Sequence, residues 1–118
     1  MEQRWMTGLL LMALATSATA AVGNFNANVL RVISDNKWFG GCMASLSVAP
    51  SSIGLDCAGN SVTFSCTGDF ATKDQAKRNF ELAQMAMLLD APIQVVVDDT
   101  KKHNGYCLVK RVDMINPQ

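Results

Sequence analysis

Two short polar runs hold most of the side chains here that could do chemistry. The longer is Asp98-Asp99-Thr100-Lys101-Lys102-His103-Asn104-Gly105-Tyr106. It sets two carboxylates ahead of the chain's single histidine, the residue types used in acid–base catalysis and metal ligation. The pattern is not that of a helical pair of ligands, and a lone histidine supplies one ligand at most. The run is read as a solvated hairpin loop in which Lys102, His103, Asn104 and Tyr106 are candidate recognition contacts. The shorter run is Asp35-Asn36-Lys37-Trp38-Phe39. The Trp38 ring offers an apolar face to the C–H face of a sugar, while Asn36 and Asp35 can take its hydroxyls. The competing reading is that Trp38 and Phe39 anchor a turn onto the core.

The sequence holds little else of a catalytic kind. Ser45, Ser47, Ser51, Ser52, Ser61 and Ser65 fall on expected strands or turns, and there is no G-x-S-x-G elbow. Met85 and Met87 read as packing. The expectation is a non-enzymatic domain without metal or cofactor. A small hydrolase built on Asp98, Asp99 and His103 is the enzymatic alternative.

The first residues look like an export signal. Arg4 precedes an apolar stretch from Trp5 to Ala15, and Ala18-Thr19-Ala20 fits the small-x-small rule for cleavage. The stretch is about ten residues, short of the roughly 20 needed to span a bilayer. Residues 1–20 are therefore read as a removable signal peptide and 21–118 as one domain, secreted or periplasmic. No other segment is apolar enough to span a membrane. Four cysteines in an exported chain imply two disulfides, and the lack of a C-x-x-C pair argues against zinc. Ten basic and ten acidic residues give zero formal net charge. With no basic stripe, nucleic acid is not an expected partner.

The elements that must position the two runs follow from periodicity. Val29 to Ile33 reads as a first strand. Cys42 to Val48 and Ser61 to Cys66 alternate with a period of two, as half-buried strands do. The residues Asn24 to Asn28 read as a loose lead-in. One helix follows: Thr72 can cap it, Gln75 stands three residues on, and Ala76, Phe80, Ala83 and Met87 recur at helical spacing, with Leu82, Ala86 and Leu89 widening the stripe. Asp90-Ala91-Pro92 ends it. Ile93 to Val97 and Tyr106 to Ile115 complete the set, with a polar loop from Asp98 to Gly105 between them.

Three strands, a helix and two strands give a mainly β fold with one helix. That order fits a small, disulfide-stapled, OB-fold-like barrel, or else an open antiparallel sheet with one packed helix. In the hairpin of the second and third strands, Cys42 and Cys66 are neighbours at disulfide distance. That leaves Cys57 for Cys107. In an OB-fold the two polar runs would lie in the loops that flank the ligand face.

The stretches Cys42-Met43-Ala44-Ser45-Leu46, Val62 to Cys66, Lys77-Arg78-Asn79-Phe80-Glu81-Leu82-Ala83-Gln84 and Ile93-Gln94-Val95-Val96-Val97 resemble the B subunits of subtilase-cytotoxin and pertussis-like toxins. The resemblance covers residues 29–97. It implies an exported OB-fold that assembles as a homo-pentamer, binds host glycans and carries an enzymatic A subunit. The Cys57 and Cys107 pair and the Asp98 to Tyr106 run depart from it, and no glycan-contacting residue transfers to a matching position. The Lys102-His103-Asn104-Gly105-Tyr106-Cys107 stretch is also similar to one in small exported proteins of marine gammaproteobacteria. The expected function is glycan recognition. The alternative is a periplasmic or extracellular interaction or inhibitor domain meeting a protein partner.

Overall fold

The structure, a computed structural model, describes residues 21–116. The signal-peptide reading of residues 1–20 lies outside them. The elements are β1 (Val22–Ala27), β2 (Val29–Ser34), β3 (Cys42–Leu46), a 3-10 turn (Pro50–Ile53), β4 (Ser61–Thr63), α1 (Lys73–Leu89), β5 (Ile93–His103) and β6 (Tyr106–Met114).

They form one six-stranded sheet in the order β1-β5-β6-β4-β3-β2. Two antiparallel three-stranded units meet where β4 runs parallel to β6, at the pair Thr63 and Leu108. β1 pairs only with β5 and β2 only with β3, so these two strands are the sheet's edges. They are consecutive in the chain, separated by Asn28 alone. The hydrogen-bonded sheet is open among the described residues, and the open-sheet alternative fits it. The inner face buries Leu46, Val62, Phe64, Ile93, Val95, Val97 and Val109 completely.

Three stretches differ from expectation. The polar lead-in is β1: Phe25 and Ala27 are buried while Asn24 and Asn26 face out. The period of two is present, but asparagine, a residue depleted in strands, occupies its outer positions. The loop expected from Asp98 to Gly105 is mostly strand. Asp98 opposes Leu108 and Lys102 opposes Cys107, so three residues of β5 bulge outward between them. Only Asn104 and Gly105 turn, both with positive φ (55° and 86°), as a two-residue hairpin requires. Finally, β4 stops at Thr63, because Ser65 adopts φ 60° and leaves the extended conformation.

The helix begins where Thr72 Oγ1 accepts the Gln75 backbone N–H at 3.1 Å. The reciprocal half of a capping box is absent: Gln75 Oε1 accepts from Arg78 Nη2 at 3.4 Å, and Gln75 Nε2 donates to Asn79 Oδ1 at 3.1 Å. Ala76, Asn79, Ala83 and Ala86 form the buried face, and Phe80 packs on Phe64 with ring centroids 5.6 Å apart. Leu89 falls off that face and is exposed, because the buried stripe is turned toward Asn79. Asp90 closes the helix in the left-handed conformation, with its N–H directed to Ala86 O and Met87 O. Replacing Thr72 by alanine removes a capping bond worth about 1 kcal/mol. Thermal unfolding should show Tm lower by roughly 4–8 °C.

The disulfides pair Cys42 with Cys66 and Cys57 with Cys107, at Cα separations of 5.6 and 5.5 Å. Both pairings are those expected from the sequence.

Candidate functional site

The two polar runs meet at one end of the sheet. The β2–β3 loop closes on itself first. Asp35 Oδ2 accepts the Phe39 N–H at 3.1 Å, Asp35 N–H donates to Gly41 O at 3.1 Å, and Gly40 N–H donates to Lys37 O at 3.1 Å. Neighbouring elements then hold it. Asn104 Nδ2, on the β5–β6 turn, donates to Trp38 O at 2.9 Å. Thr63 Oγ1, at the end of β4, donates to Phe39 O at 2.6 Å. The Phe39 ring stands edge-on to Tyr106, centroids 5.5 Å apart.

The two readings of the aromatic pair thus divide between its members. Phe39 is half-buried and anchors the turn. Trp38 is 69% exposed. Asn36, Lys37 and Asn104 are exposed around it, and Asp35 Oδ1 is buried with no hydrogen-bond partner.

His103 lies below this surface. Its Nε2 is 3.0 Å from Ser65 Oγ, which also accepts the Phe70 N–H at 3.1 Å. Asp69 Oδ2 stands 3.9 Å from the same nitrogen, and the Phe70 ring packs on the imidazole at 4.8 Å. Serine, histidine and aspartate thus come together, but not as a relay. A catalytic triad sets its serine and its carboxylate on opposite ring nitrogens, whereas here both address Nε2. Ser65 is also fully buried and its oxygen is engaged by a backbone amide. The cluster braces the hairpin tip against the segment after β4.

The carboxylates of the hydrolase alternative are committed elsewhere. Asp98 Oδ1 accepts from Thr100 Oγ1 at 2.6 Å and from Thr100 N–H at 2.9 Å. Burial pushes the Asp98 carboxyl up, but the Thr100 hydroxyl and amide, with Lys101 and Lys110, outweigh it and leave it below the usual carboxylate range. Asp99 accepts the Asp56 N–H at 3.0 Å on Oδ2 and the Ala21 N–H at 2.9 Å on Oδ1. These two amides lower its carboxyl as well. Both acids serve as structural acceptors rather than as partners of His103. Among the described residues no three acidic, histidine or cysteine side chains are grouped to hold a metal ion.

Of the residues singled out from the sequence, Asp35, Asn36, Trp38, His103, Asn104 and Tyr106 belong to this end of the fold. Lys102 does not: its Nζ pairs with Asp56 Oδ2 at 3.0 Å, beside the Cys57 loop. Neighbours on a strand point to opposite faces, so Lys102 and His103 part company. Sequence reasoning missed Gly40, Thr63, Asp69 and Phe70, and set Ser65 aside with the other serines. None belongs to either polar run: Thr63 ends β4, Gly40 lies in the β2–β3 loop, and Ser65, Asp69 and Phe70 meet His103 from the segment after β4.

A second surface lies on α1, where Met85, Leu88 and Leu89 are exposed. A shallow groove of about 510 Å³ between Leu89, Ala91, Met114 and Ile115 flanks it. No described helix is long and apolar enough to cross a membrane. No family model matches the chain, and no curated protein or solved structure is significantly similar to it.

Proposed function

We propose that this domain is an exported, non-enzymatic binding module that recognises a glycan through the Trp38 loop, in the manner of the toxin B subunits its sequence resembles. One observation carries the reading: Trp38 is exposed although the backbone around it is hydrogen-bonded, from Lys37 O, which accepts the Gly40 N–H, to its own carbonyl and the groups of Phe39. Asn104 clamps its own carbonyl, Thr63 the next, and Asp35 the amide after it. An aromatic ring held ready on a rigid loop loses little freedom on binding, which is how a small site gains affinity. Asn36, Lys37 and Asn104 are exposed around the ring and suit a ligand dense in hydroxyls. Zero net charge does not steer the domain toward a polyanion.

An OB-like barrel is the finer fold we assign. The two sheet edges are one stretch of chain joined at Asn28, and β4 runs parallel to β6. A sheet whose edges are covalently consecutive is curled back toward itself. Two disulfides with no free cysteine among the described residues support a secreted or periplasmic location. The exposed Met85, Leu88 and Leu89 favour a second reading, a protein partner or a homo-pentameric ring.

Replacing Trp38 by alanine should weaken glycan binding at least about tenfold, the loss of roughly 1.4 kcal/mol of stacking, with Tm essentially unchanged. A glycan array followed by calorimetry on the hits checks this. Equal affinity in the variant, or an array without hits, would sink the glycan reading. Native mass bears on the ring: a five-subunit species supports it and a monomer removes it.

A further inference from the structure

We infer that Asp99 is the receiving site for the amino terminus released when the chain is cut after Ala20. Ala21 is where the described chain begins, and it is tied to Asp99 in both directions. Its N–H donates to Asp99 Oδ1 at 2.9 Å, and Asp99 N–H donates to Ala21 O at 3.0 Å. The small residues Ala18 and Ala20 stand where an export endopeptidase selects its cut. The nitrogen that such a cut would free is therefore the one already resting on a carboxylate.

The chemistry of the cut changes that contact. Water adds across the Ala20–Ala21 peptide bond. Ala20 keeps the oxygen as a carboxylate, and the Ala21 nitrogen leaves as an amine that takes up a proton at neutral pH, since α-amino groups titrate near 8. A neutral amide donor becomes an ammonium group. Asp99 is ionised to meet it, because the Asp56 and Ala21 amides favour its charged form. The contact turns from an ordinary hydrogen bond into a charge-assisted one, which is shorter and stronger.

The location gives the change a consequence. β1 is an edge strand with β5 as its one partner, and Val22 opposite Asp98 is its first pair. An ion pair at Ala21 pins the free end of that strand. The same bulge in β5 that interrupts pairing with β6 presents Asp99 to this end. The mature domain is thus more stable than its precursor, and processing is read out as stability. This inference rests on the export part of the proposed function and not on the glycan reading.

The test compares the exported protein with the full chain that retains residues 1–20, each with Asp99 and with Asp99→Asn. Amino-terminal sequencing of the exported protein should begin at Ala21. Asp99→Asn should lower Tm by roughly 5 °C more in the processed protein than in the full chain, where the charge is missing. The sign with pH is fixed. An ammonium that gains a partner titrates higher when folded, so the extra stability is complete from above the acid range where Asp99 protonates up to about pH 8, and fades as pH rises beyond that. A first residue other than Ala21, or an equal Tm loss in both forms, overturns the inference. Should the variant fail to fold, acylation of the exported protein decides. At pH 7 its α-amino group should react at least about tenfold more slowly in buffer than in denaturant; equal rates overturn the inference as well.

Discussion

Replacing both Cys57 and Cys107 by alanine should lower the unfolding free energy by about 4 kcal/mol. The two cysteines are 50 residues apart, and a bridge that closes a longer loop removes more freedom from the unfolded chain. Its native-state role adds to this. Cys107 is fully buried, and the bridge holds the loop whose Ala58 N–H donates to Gly105 O at 2.9 Å at the back of the hairpin turn. The Cys42–Cys66 bridge spans 24 residues and should be worth less, about 3.5 kcal/mol by the same relation. It also lies beside a backbone bond, Phe64 N–H to Cys42 O at 3.0 Å, that remains when the sulfurs are gone. Urea unfolding of the two double variants should rank them in this order. A larger loss from the shorter bridge would mean that native-state packing, not loop closure, sets the scale.

The second large effect is at Gly40. Its φ of +82° lies in the left-handed region, and a β-carbon there would sit 2.5 Å from Thr63 Oγ1 and 2.6 Å from His103 Cδ2. Neither neighbour can retreat cheaply. Thr63 Oγ1 holds Phe39 O at 2.6 Å and accepts the Ser65 N–H at 3.1 Å, and the His103 ring is held by Ser65 and Phe70. The backbone contribution is about 1–2 kcal/mol and the crowding about 1–3 kcal/mol. Gly40→Ala should therefore cost roughly 2–5 kcal/mol in unfolding free energy and remove the glycan binding proposed for the Trp38 loop. Gly54→Ala is the control, since Gly54 has a similar φ of +91° with nothing within 4 Å of the added carbon. It should show the backbone contribution alone. Equal losses at the two positions would show that Gly40 is conformational rather than a close approach.

How far the sequence could be read depended on which interactions decide each element. The helix was legible because Thr72, the alanine spacing and Pro92 are local signals. The disulfides were legible because a hairpin places Cys42 beside Cys66 by geometry. β1 was hidden, since Asn24 and Asn26 argue against a strand and only the inward Phe25 and Ala27 argue for one. What makes it a strand is β5, far along the chain. The continuation of β5 past Asp98 was hidden for a like reason, because charged residues on a bulge look the same in sequence as charged residues in a loop. The two loops of the candidate site were both visible as polar runs. Their supports were not. Ser65, Thr63 and Gly40 have no pattern of their own and come to His103 only when the β2–β3 loop and the segment after β4 fold against the β5–β6 hairpin.

The pairing of β1 with β5 also orders events in time. A chain is made from its amino terminus, so β1 is the first of the described strands to exist. Its partner runs from Ile93 to His103, and Val22 meets Asp98 only after most of the domain has been synthesised. Contacts so distant in sequence form slowly, since a long loop must close before any bond rewards it. Meanwhile β2, β3 and β4 are sequential neighbours and can pair as a meander as soon as Thr63 is available. The earliest described strand of the domain thus waits for one of its later ones, and until β5 is available the buried side of Phe25 and Ala27 lacks its strand partner.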